Sequence, residues 1–304
     1  MNTALIGIDW GTSRLRAFRI GPEGVLLERR ESDLGIASIS GSAFDPALHA
    51  LIADWQGARA KAPILMCGMI GSRDGWREVP YRQCPAGLLD LVGALAPIES
   101  SCGPALIVGG LLTLDEHGHH DVMRGEETQI FGCAFSVRRT LFVAPGTHSK
   151  WAIVENGRVE SFRTSMTGEI YDLLRRHSTL GWVMGGAETS DEDQSFLSGV
   201  GRALENPDLL HSLFGVRTKG LFGREPSALS SYLSGLLIGS EVAAELRRQP
   251  VGVVTVIASP RLAHLYGLAL SAAGCSNVVS FQAADAVAQG LWKLWRLYDG
   301  RVRP

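Results

Sequence analysis

The sequence predicts a two-lobed α/β protein whose natural ligand site is a cleft between the lobes. Three observations carry that reading. First, "LIGIDWGTSRLRAFRIGPEGVLLERRES" (5–32) and "LFVAPGTHSKWAIVENGRVESFRTS" (141–165) share one order. Each reads as a strand, a Gly-Thr loop with a hydroxyl and a basic residue, a strand, a Gly turn and a third strand. Second, strands and helices alternate after each of these meanders. Third, 304 residues at 45% hydrophobic content can fill one large core or two medium ones. The expected lobes are residues 1–135 and 136–304, joined by a hinge near 132–140, with helix 285–298 returning across them.

The elements follow in order. An apolar run closes at Asp9, turns through Gly11-Thr12-Ser13 and resumes as an alternating strand to Ile20. Leu48, Leu51, Ile52 and Trp55 give helical spacing over 43–61, and "APILMCGM" (62–69) reads as a buried strand. Residues 71–85 are loop-like, aromatic and basic, too polar for core. Residues 97–104 form a connection into "ALIVGGLL" (105–112), another buried strand, and 126–137 read as a helix. In the second half, helices are expected at 167–176, 191–204, 229–248, 260–273 (with Pro260 in its first turn) and 285–298. A strand is expected at 251–259. Leu291, Trp292, Leu294 and Trp295 form an apolar stripe on the last helix, suited to packing across the lobes or to plain core packing.

Composition excludes several classes. Lys and Arg number 29 against 31 Asp and Glu, so the balance offers no electrostatic case for nucleic acid or an anionic membrane. Five scattered cysteines (Cys67, Cys84, Cys102, Cys133, Cys275), never paired as CxxC, read as a reduced cytoplasmic chain rather than a disulfide or zinc framework. No signal-peptide pattern is seen, and no apolar run approaches the ~18 residues of a membrane span. The "HGHHD" cluster (His117, His119, His120, Asp121) lacks a partner element at metal-ligand spacing and reads as a solvent loop. "VMGG" around Gly185 and Gly186 lacks the spacing of a Walker loop.

The turn after Asp9 is richer than a hairpin needs. Its backbone N–H groups and the hydroxyls of Thr12 and Ser13 can wrap an anion such as phosphate, though an ordinary Gly-containing hairpin loop reads similarly. "MRGEETQ" (123–129) places two glutamates, Glu126 and Glu127, at a helix start. They suit either acid–base work or simple stabilisation of the helix N-terminus, and about 100° of rotation separates them, so at most one faces a ligand.

"DWGTS" (9–13), "MRGEETQ", "APGTHSKW" (144–151) and "TGEIYDLLRRHSTLG" (167–181) together resemble the 2-dehydro-3-deoxygalactonokinase family, within the sugar kinase/Hsp70/actin superfamily. The resemblance runs over nearly the whole chain. It implies two ribonuclease-H-like lobes of the actin-like ATPase fold, with ATP and Mg²⁺ in the interlobe cleft. It also implies phosphoryl transfer to the C6 hydroxyl of 2-dehydro-3-deoxy-D-galactonate in galactonate catabolism. The partners are then ATP and a small sugar acid, with neither nucleic acid nor membrane, and a homo-oligomer is left open. A phosphohydrolase of the same fold and a non-catalytic sugar-acid sensor are the alternatives, although a sensor has no need of the metal aspartate.

Under this resemblance Asp9 matches the aspartate that organises Mg²⁺ through its waters. Gly11, Thr12, Ser13 and Arg14 hold ATP phosphates from one lobe; Gly146, Thr147, His148, Ser149 and Lys150 hold them from the other. Lys150 reads equally as a solvated strand charge. Many superfamily members carry an acid just before the second glycine loop where this chain has Pro145, so Glu126 and Glu127 become the candidates for orienting the acceptor hydroxyl and taking its proton. A sugar-acid carboxylate calls for a guanidinium, offered by Arg73, Arg77 and Arg82 in the aromatic loop with Trp76 and Tyr81, and by Arg124 before the glutamates; Arg73 or Arg77 is the favoured choice. Gly168, Glu169 and Tyr171 open a helix where sugar hydroxyls could bind. Ser259, Pro260 and Tyr266 resemble the adenosine segment, although an ordinary strand–helix junction has the same look.

Overall fold

The structure is a computed structural model that describes residues 3–56, 61–133, 139–185, 193–248 and 252–302. Contacts divide the chain into two compact units. Unit 1 holds residues 1–139, 152–162 and 281–304; unit 2 holds 140–151 and 163–280.

The chain opens with an antiparallel meander of β1 (Leu5–Trp10), β2 (Leu15–Ile20) and β3 (Leu26–Ser32). Helix α1 (Phe44–Ile52) and β4 (Ile64–Cys67) follow, then the two-residue strands β5 (Arg82–Gln83) and β6 (Ala86–Gly87). Next come α2 (Leu88–Val92), β7 (Ala96–Ile98), β8 (Ala105–Ile107), β9 (Leu111–Leu114), β10 (His120–Met123) and α3 (Glu126–Gly132). The second meander is β11 (Thr140–Ala144), β12 (Ser149–Glu155) and β13 (Arg158–Ser165). Helices α4 (Thr167–His177), α5 (Thr179–Met184), α6 (Asp193–Glu205), α7 (Leu209–Leu221) and α8 (Pro226–Arg248) lead to β14 (Val254–Ala258). Helix α9 (Pro260–Ala272), β15 (Val278–Gln282) and α10 (Ala283–Val302) complete the described chain.

Three sheets form among the described residues: β3-β2-β1-β4-β8-β7, β10-β9-β5 and β15-β14-β11-β12-β13-β6. In the first, β1 is wholly buried because it pairs antiparallel with β2 and parallel with β4. Its apolar residues therefore run continuously, as burial on both faces demands. β3 closes one edge with the charged run Glu28-Arg29-Arg30-Glu31, which discourages further strand pairing. The unit 1 core gathers Ile6, Ile8, Trp10, Leu48, Met66 and Ile107 around these strands. In unit 2, Leu180, Val216, Leu229, Leu233 and Leu236 pack together from α5, α7 and α8.

Helix α10 braces unit 1. Gly132 and Gly290 let α3 and α10 touch backbone to backbone; a Cβ at Gly132 would lie 1.7 Å from the Ala286 carbonyl oxygen. The Lys293 ammonium donates to the carbonyls of Phe131, Gly132 and Cys133 at 3.0, 3.1 and 2.9 Å, satisfying the open end of α3. Leu291 of the expected apolar stripe is buried against Gly7, and Trp292 lies against Gly24.

Several expected elements differ. The helix read over 43–61 ends at Ile52, which leaves helical dihedrals at φ −128° and ψ 0°. Arg30 takes the Leu51 carbonyl at 2.9 Å, and a tight turn over Ala53–Trp55 then buries Trp55. The helix read over 126–137 stops at Gly132, where Lys293 caps it; the hinge expected near 132–140 falls largely on 134–138, outside the described residues. "ALIVGGLL" is split into β8 and β9 of different sheets, since Gly109 and Gly110 press their backbones on Pro80 and Met123. Residues 71–85 are not wholly excluded from the core: Val79 is buried, and Trp76 stacks on Phe44 with ring centroids 6.2 Å apart. Helices α5 and α7 and strand β15 had no expectation; α7 presents Leu210, Phe214 and Leu221 to solvent, which blurs its amphipathic period.

Candidate active site

In unit 1, three backbone segments meet at the ends of β1 and β4 and the start of α3. Gly68 (φ +90°) follows β4, and a Cβ there would approach the Trp10 carbonyl oxygen to 2.8 Å and Asp9 Oδ1 to 3.2 Å. Gly125 (φ +112°) precedes α3, and its Cβ position is 3.2 Å from the Gly68 Cα. Both conformations suit glycine alone. The result places Asp9 and the Glu126-Glu127 pair around the buried Cys67, whose thiol is pushed well up by burial and by the charges of Asp9, Glu127 and Glu126.

Asp9 is buried and faces Arg16 across the hairpin in direct register, with Arg16 Nη1 donating to Oδ2 at 3.0 Å. Burial raises the Asp9 carboxyl, and Arg16 opposes that rise. The two glutamates have different surroundings. Glu127 is fully buried; its Oε2 accepts the Gly125 N–H at 2.6 Å and its Oε1 accepts the Thr128 hydroxyl at 2.9 Å. Burial pushes it up to about 7, with the neighbouring Glu126 charge adding to the effect. Glu126 is half-buried, and its Oε2 accepts the Arg124 N–H at 3.1 Å.

The first loop is shaped from outside. Gly11 N–H donates to the Arg14 carbonyl, while the carbonyls of Gly11 and Thr12 accept from Ile36 and Ala37 at 3.1 and 3.0 Å. Thr12 and Ser13 remain exposed. Arg14 forms an ion pair with Glu31. The neighbouring guanidinium that reaches Asp9 is Arg16, which had no place among the expected site residues, although the Asp9–Arg16 register of a tight hairpin was the signal for it.

Among the expected substrate arginines, Arg73 is exposed and Arg77 donates to the Pro97 carbonyl. Arg124 is different. It is 8% exposed, its guanidinium lies 4.2 Å over the Tyr81 ring, and Nη2 donates to the Val79 carbonyl at 2.8 Å. Its Nε and Nη1 are buried with no hydrogen-bond partner, as is the nearby Ser72 Oγ. No acidic side chain pairs with Arg124 among the described residues. A buried guanidinium left this way is costly unless an anion completes it.

In unit 2, the second loop joins β11 to β12. Gly146, Thr147 and His148 are exposed, while Ser149 and Lys150 are buried at the start of β12. A Cβ on Gly146 meets nothing nearer than the His148 carbonyl oxygen at 3.9 Å, so the backbone is open to close approach. The start of α4 is locked to this loop. Glu169 N–H donates to the Thr147 carbonyl at 2.9 Å, and a Cβ on Gly168 would lie 2.3 Å from the Gly146 carbonyl oxygen. Glu169 Oε2 also lies 2.5 Å from His148 Nε2. Glu169 and Gly168, expected at sugar hydroxyls, thus stand against the second loop. Lys150 Nζ donates to the Thr164 hydroxyl at 2.8 Å.

Gly146, Gly168, Tyr171, Leu237, Leu262 and Tyr266 line one mostly apolar pocket. It brings together Gly146, Tyr171 and Tyr266, which the sequence assigned to three different ligand parts. Ser259 and Pro260 are exposed at the start of α9. The Tyr266 hydroxyl lies 2.9 Å from Ser149 Oγ and donates to Glu241 Oε2 at 2.8 Å. Glu241, in the middle of α8, is a buried acid absent from the expected set. Its signal was a lone carboxylate in the otherwise apolar stretch "LLIGSEVAA".

The "HGHHD" segment is a surface turn in which His119 Nδ1 lies 3.1 Å from Asp115 Oδ2. No metal-binding group of three His, Cys, Asp or Glu side chains occurs among the described residues. No described helix is long and apolar enough to cross a membrane.

Comparison with known proteins adds a family. A family model described as 2-keto-3-deoxy-galactonokinase matches residues 9–294. The chain is 38% identical over 290 residues to a "probable 2-dehydro-3-deoxygalactonokinase" of Rhizobium meliloti, covering 93% of this chain and 94% of that one. It is 36% identical over 293 residues to the 2-dehydro-3-deoxygalactonokinase of Escherichia coli, covering 95% and 96%. A crystal structure from Sinorhizobium meliloti, described as a 2-dehydro-3-deoxygalactonokinase protein, superposes with a TM-score of 0.89 at 37% identity, over 96% of this chain and 98% of that one. The activator of 2-hydroxyisocaproyl-CoA dehydratase from Clostridium difficile, solved with bound ADPNP, shares the fold at a TM-score of 0.51 and 11% identity, over 100% of this chain and 98% of that one.

Proposed function

The chain belongs to the 2-keto-3-deoxy-galactonokinase family, and from that premise we propose that it is an ATP-dependent kinase of 2-dehydro-3-deoxy-D-galactonate, transferring phosphoryl to the C6 hydroxyl. The observation that carries the reading is the family match across residues 9–294, which spans all the loops described above.

The residues present fit the nucleotide and metal. Gly146 leaves its loop backbone open, and the apolar pocket beside it suits a flat base. A single carboxylate, Asp9, suits Mg²⁺, which keeps most of its waters and takes phosphate oxygens. Bound together, ATP and Mg²⁺ supply the phosphoryl group and the charge that neutralises it in transfer.

The protein's own groups do the rest. Within unit 1, Thr12, Ser13 and their loop amides offer donors to an anion, and within unit 2 the open backbone at Gly146 does the same. Arg16 donates to the Asp9 carboxylate and opposes the rise that burial imposes on it. Glu126 is the accessible one of the two glutamates, and we assign to it the orientation of the acceptor hydroxyl and the late uptake of its proton. Glu127, with both oxygens engaged and no exposure, fixes the Gly125 turn instead. Arg124 binds the substrate carboxylate: its Nε–H and Nη1–H, on different sides of the guanidinium, are the donors left unpaired, and the anion compensates the buried charge.

The test is a panel of hexoses, hexonates and 2-keto-3-deoxy acids in an assay coupled to ADP release. Substrate-dependent ADP release that is largest with the 2-keto-3-deoxy acid supports the proposal. Preference for a neutral hexose, or phosphate release without a sugar acceptor, overturns it.

A further inference from the structure

Glu241 is a carboxylate in the interior of unit 2, 6% exposed, on the long helix α8. Its Oε1 accepts Trp151 Nε1–H at 2.5 Å, and its Oε2 accepts the Tyr266 hydroxyl at 2.8 Å and the Thr167 hydroxyl. Through Tyr266 the network extends to Ser149 Oγ at 2.9 Å. These donors are not randomly placed. Ser149 and Trp151 lie two apart on β12, hence on one face, immediately after the loop. Thr167 begins α4, whose next two residues touch the loop: Gly168 packs on the Gly146 carbonyl and Glu169 donates to the Thr147 carbonyl. Tyr266 lines the pocket beside Gly146. One carboxylate therefore fastens the exit strand of the loop, the helix that lies against it and the aromatic wall next to it.

We propose that Glu241 is a positioning residue for the 145–148 loop, holding β12 and the start of α4 in the relation that shapes the loop for nucleotide phosphates. The inference rests on reading that loop as a nucleotide-phosphate site. Burial of the acid is costly, and three converging donors are the arrangement that offsets it. A hydrophobic residue would fill the same space but could not bind Trp151, Thr167 and Tyr266 at once. The role requires a multiple acceptor, since the three donors come from three different elements, β12, α4 and α9.

The variant Glu241→Gln keeps shape and volume but offers one acceptor oxygen in place of two, so the Trp151 side and the Thr167 side compete for it. The expected result is a rise of about tenfold or more in KM for ATP and in Kd for a non-hydrolysable ATP analogue, with KM for the sugar acid within about twofold of wild type. A merely structural acid would instead lower the folded fraction, and with it the apparent kcat, while leaving both KM values of the folded enzyme unchanged, and that outcome overturns the proposal.

Thr167→Val removes only the helix-side donor, so it keeps the proposal testable where Glu241→Gln fails to fold. It should raise KM for ATP alone, by about threefold or more. Unchanged ATP affinity in the folded variants also overturns the role of Glu241. Gly146→Val, run in parallel, separates the two levels of argument. Where it weakens ATP binding and the network variants do not, Glu241 alone is misassigned; where it leaves ATP binding untouched, the loop reading itself falls and the proposal with it.

Discussion

Glu127→Gln offers a test in which the sign and size of the effect both come from the structure. Glu127 has its folded value pushed up to about 7, against an ordinary value of 4.5, because it is fully buried and sits beside Glu126. The folded chain therefore retains a proton through a pH window in which the unfolded chain has released it. Stability conferred by the neutral form is complete below the unfolded value and is lost as pH rises through the folded one. A shift of about 2.5 units corresponds to about 3 kcal/mol at about 1.36 kcal/mol per unit. Glutamine mimics the neutral acid closely: its carbonyl can accept the Gly125 N–H, and its amide can donate to the Thr128 oxygen.

The variant should thus be insensitive where the wild type is not. Melting temperatures of both proteins are to be measured from about pH 5 to about pH 8.5, and the variant-minus-wild-type difference should climb by about 6 °C, taking roughly 2 °C per kcal/mol for a chain of this size. Using the difference cancels other titrating groups, such as Asp9 and Glu241, that also bend the wild-type curve. Glu126→Gln provides an internal check, because removing that charge should shrink the climb. A difference that stays flat across the range refutes the assignment of Glu127 as a buried acid titrating near neutrality.

Four further outcomes follow from the same contacts. Glu126→Gln should lower kcat by about 10²- to 10⁴-fold with little change in either KM, whereas Glu127→Gln keeps kcat within about tenfold; the reverse pattern in steady-state kinetics would exchange their roles. Arg124→Lys should raise KM for the sugar acid by about tenfold or more while sparing KM for ATP, because a shorter-reaching ammonium cannot hold the Val79 carbonyl and an anion at once as the planar guanidinium can, and an unchanged sugar-acid KM removes Arg124 from the substrate. Asp9→Asn should cost about 100-fold or more in turnover and alter the Mg²⁺ dependence, checked by titrating Mg²⁺ at saturating ATP. Gly168→Ala should weaken ATP binding measured by calorimetry, since the added Cβ would sit 2.3 Å from the Gly146 carbonyl oxygen and must push the loop away.

Local pattern made much of the fold legible. The repeated strand–loop–strand–turn–strand segments became β1–β3 and β11–β13, because period-2 alternation and glycine turns are decided within a few residues. What sequence could not supply was where long-range contacts cut an element short. α3 stops where Lys293 reaches it from 160 or more positions away, and "ALIVGGLL" breaks where Pro80 and Met123 press on its glycines. A helix with solvent-facing Leu210, Phe214 and Leu221 likewise defeats any rule that equates apolar spacing with burial.

The candidate site divides along the same line. Glycine-rich loops announce themselves because an open backbone is a sequence property, so Gly11 and Gly146 could be singled out without coordinates. The charged groups around them could not be ranked that way. Arg73, Arg77 and Arg124 look alike in sequence, yet one is exposed, one donates to a carbonyl of β7 and one is buried with two nitrogens unpaired. Glu126 and Glu127 are adjacent and identical in kind, but a turn of about 100° leaves one accessible and seals the other. Glu241 carries no motif at all; its importance lies in which three donors converge on it, from residues 74 to 90 positions away on one side and 25 on the other. Chemistry at a phosphate site depends on how firmly an open backbone is held. The residues that hold it are found by tracing hydrogen bonds outward from the loop, a search that begins with the glycine and ends on a buried acid in another helix.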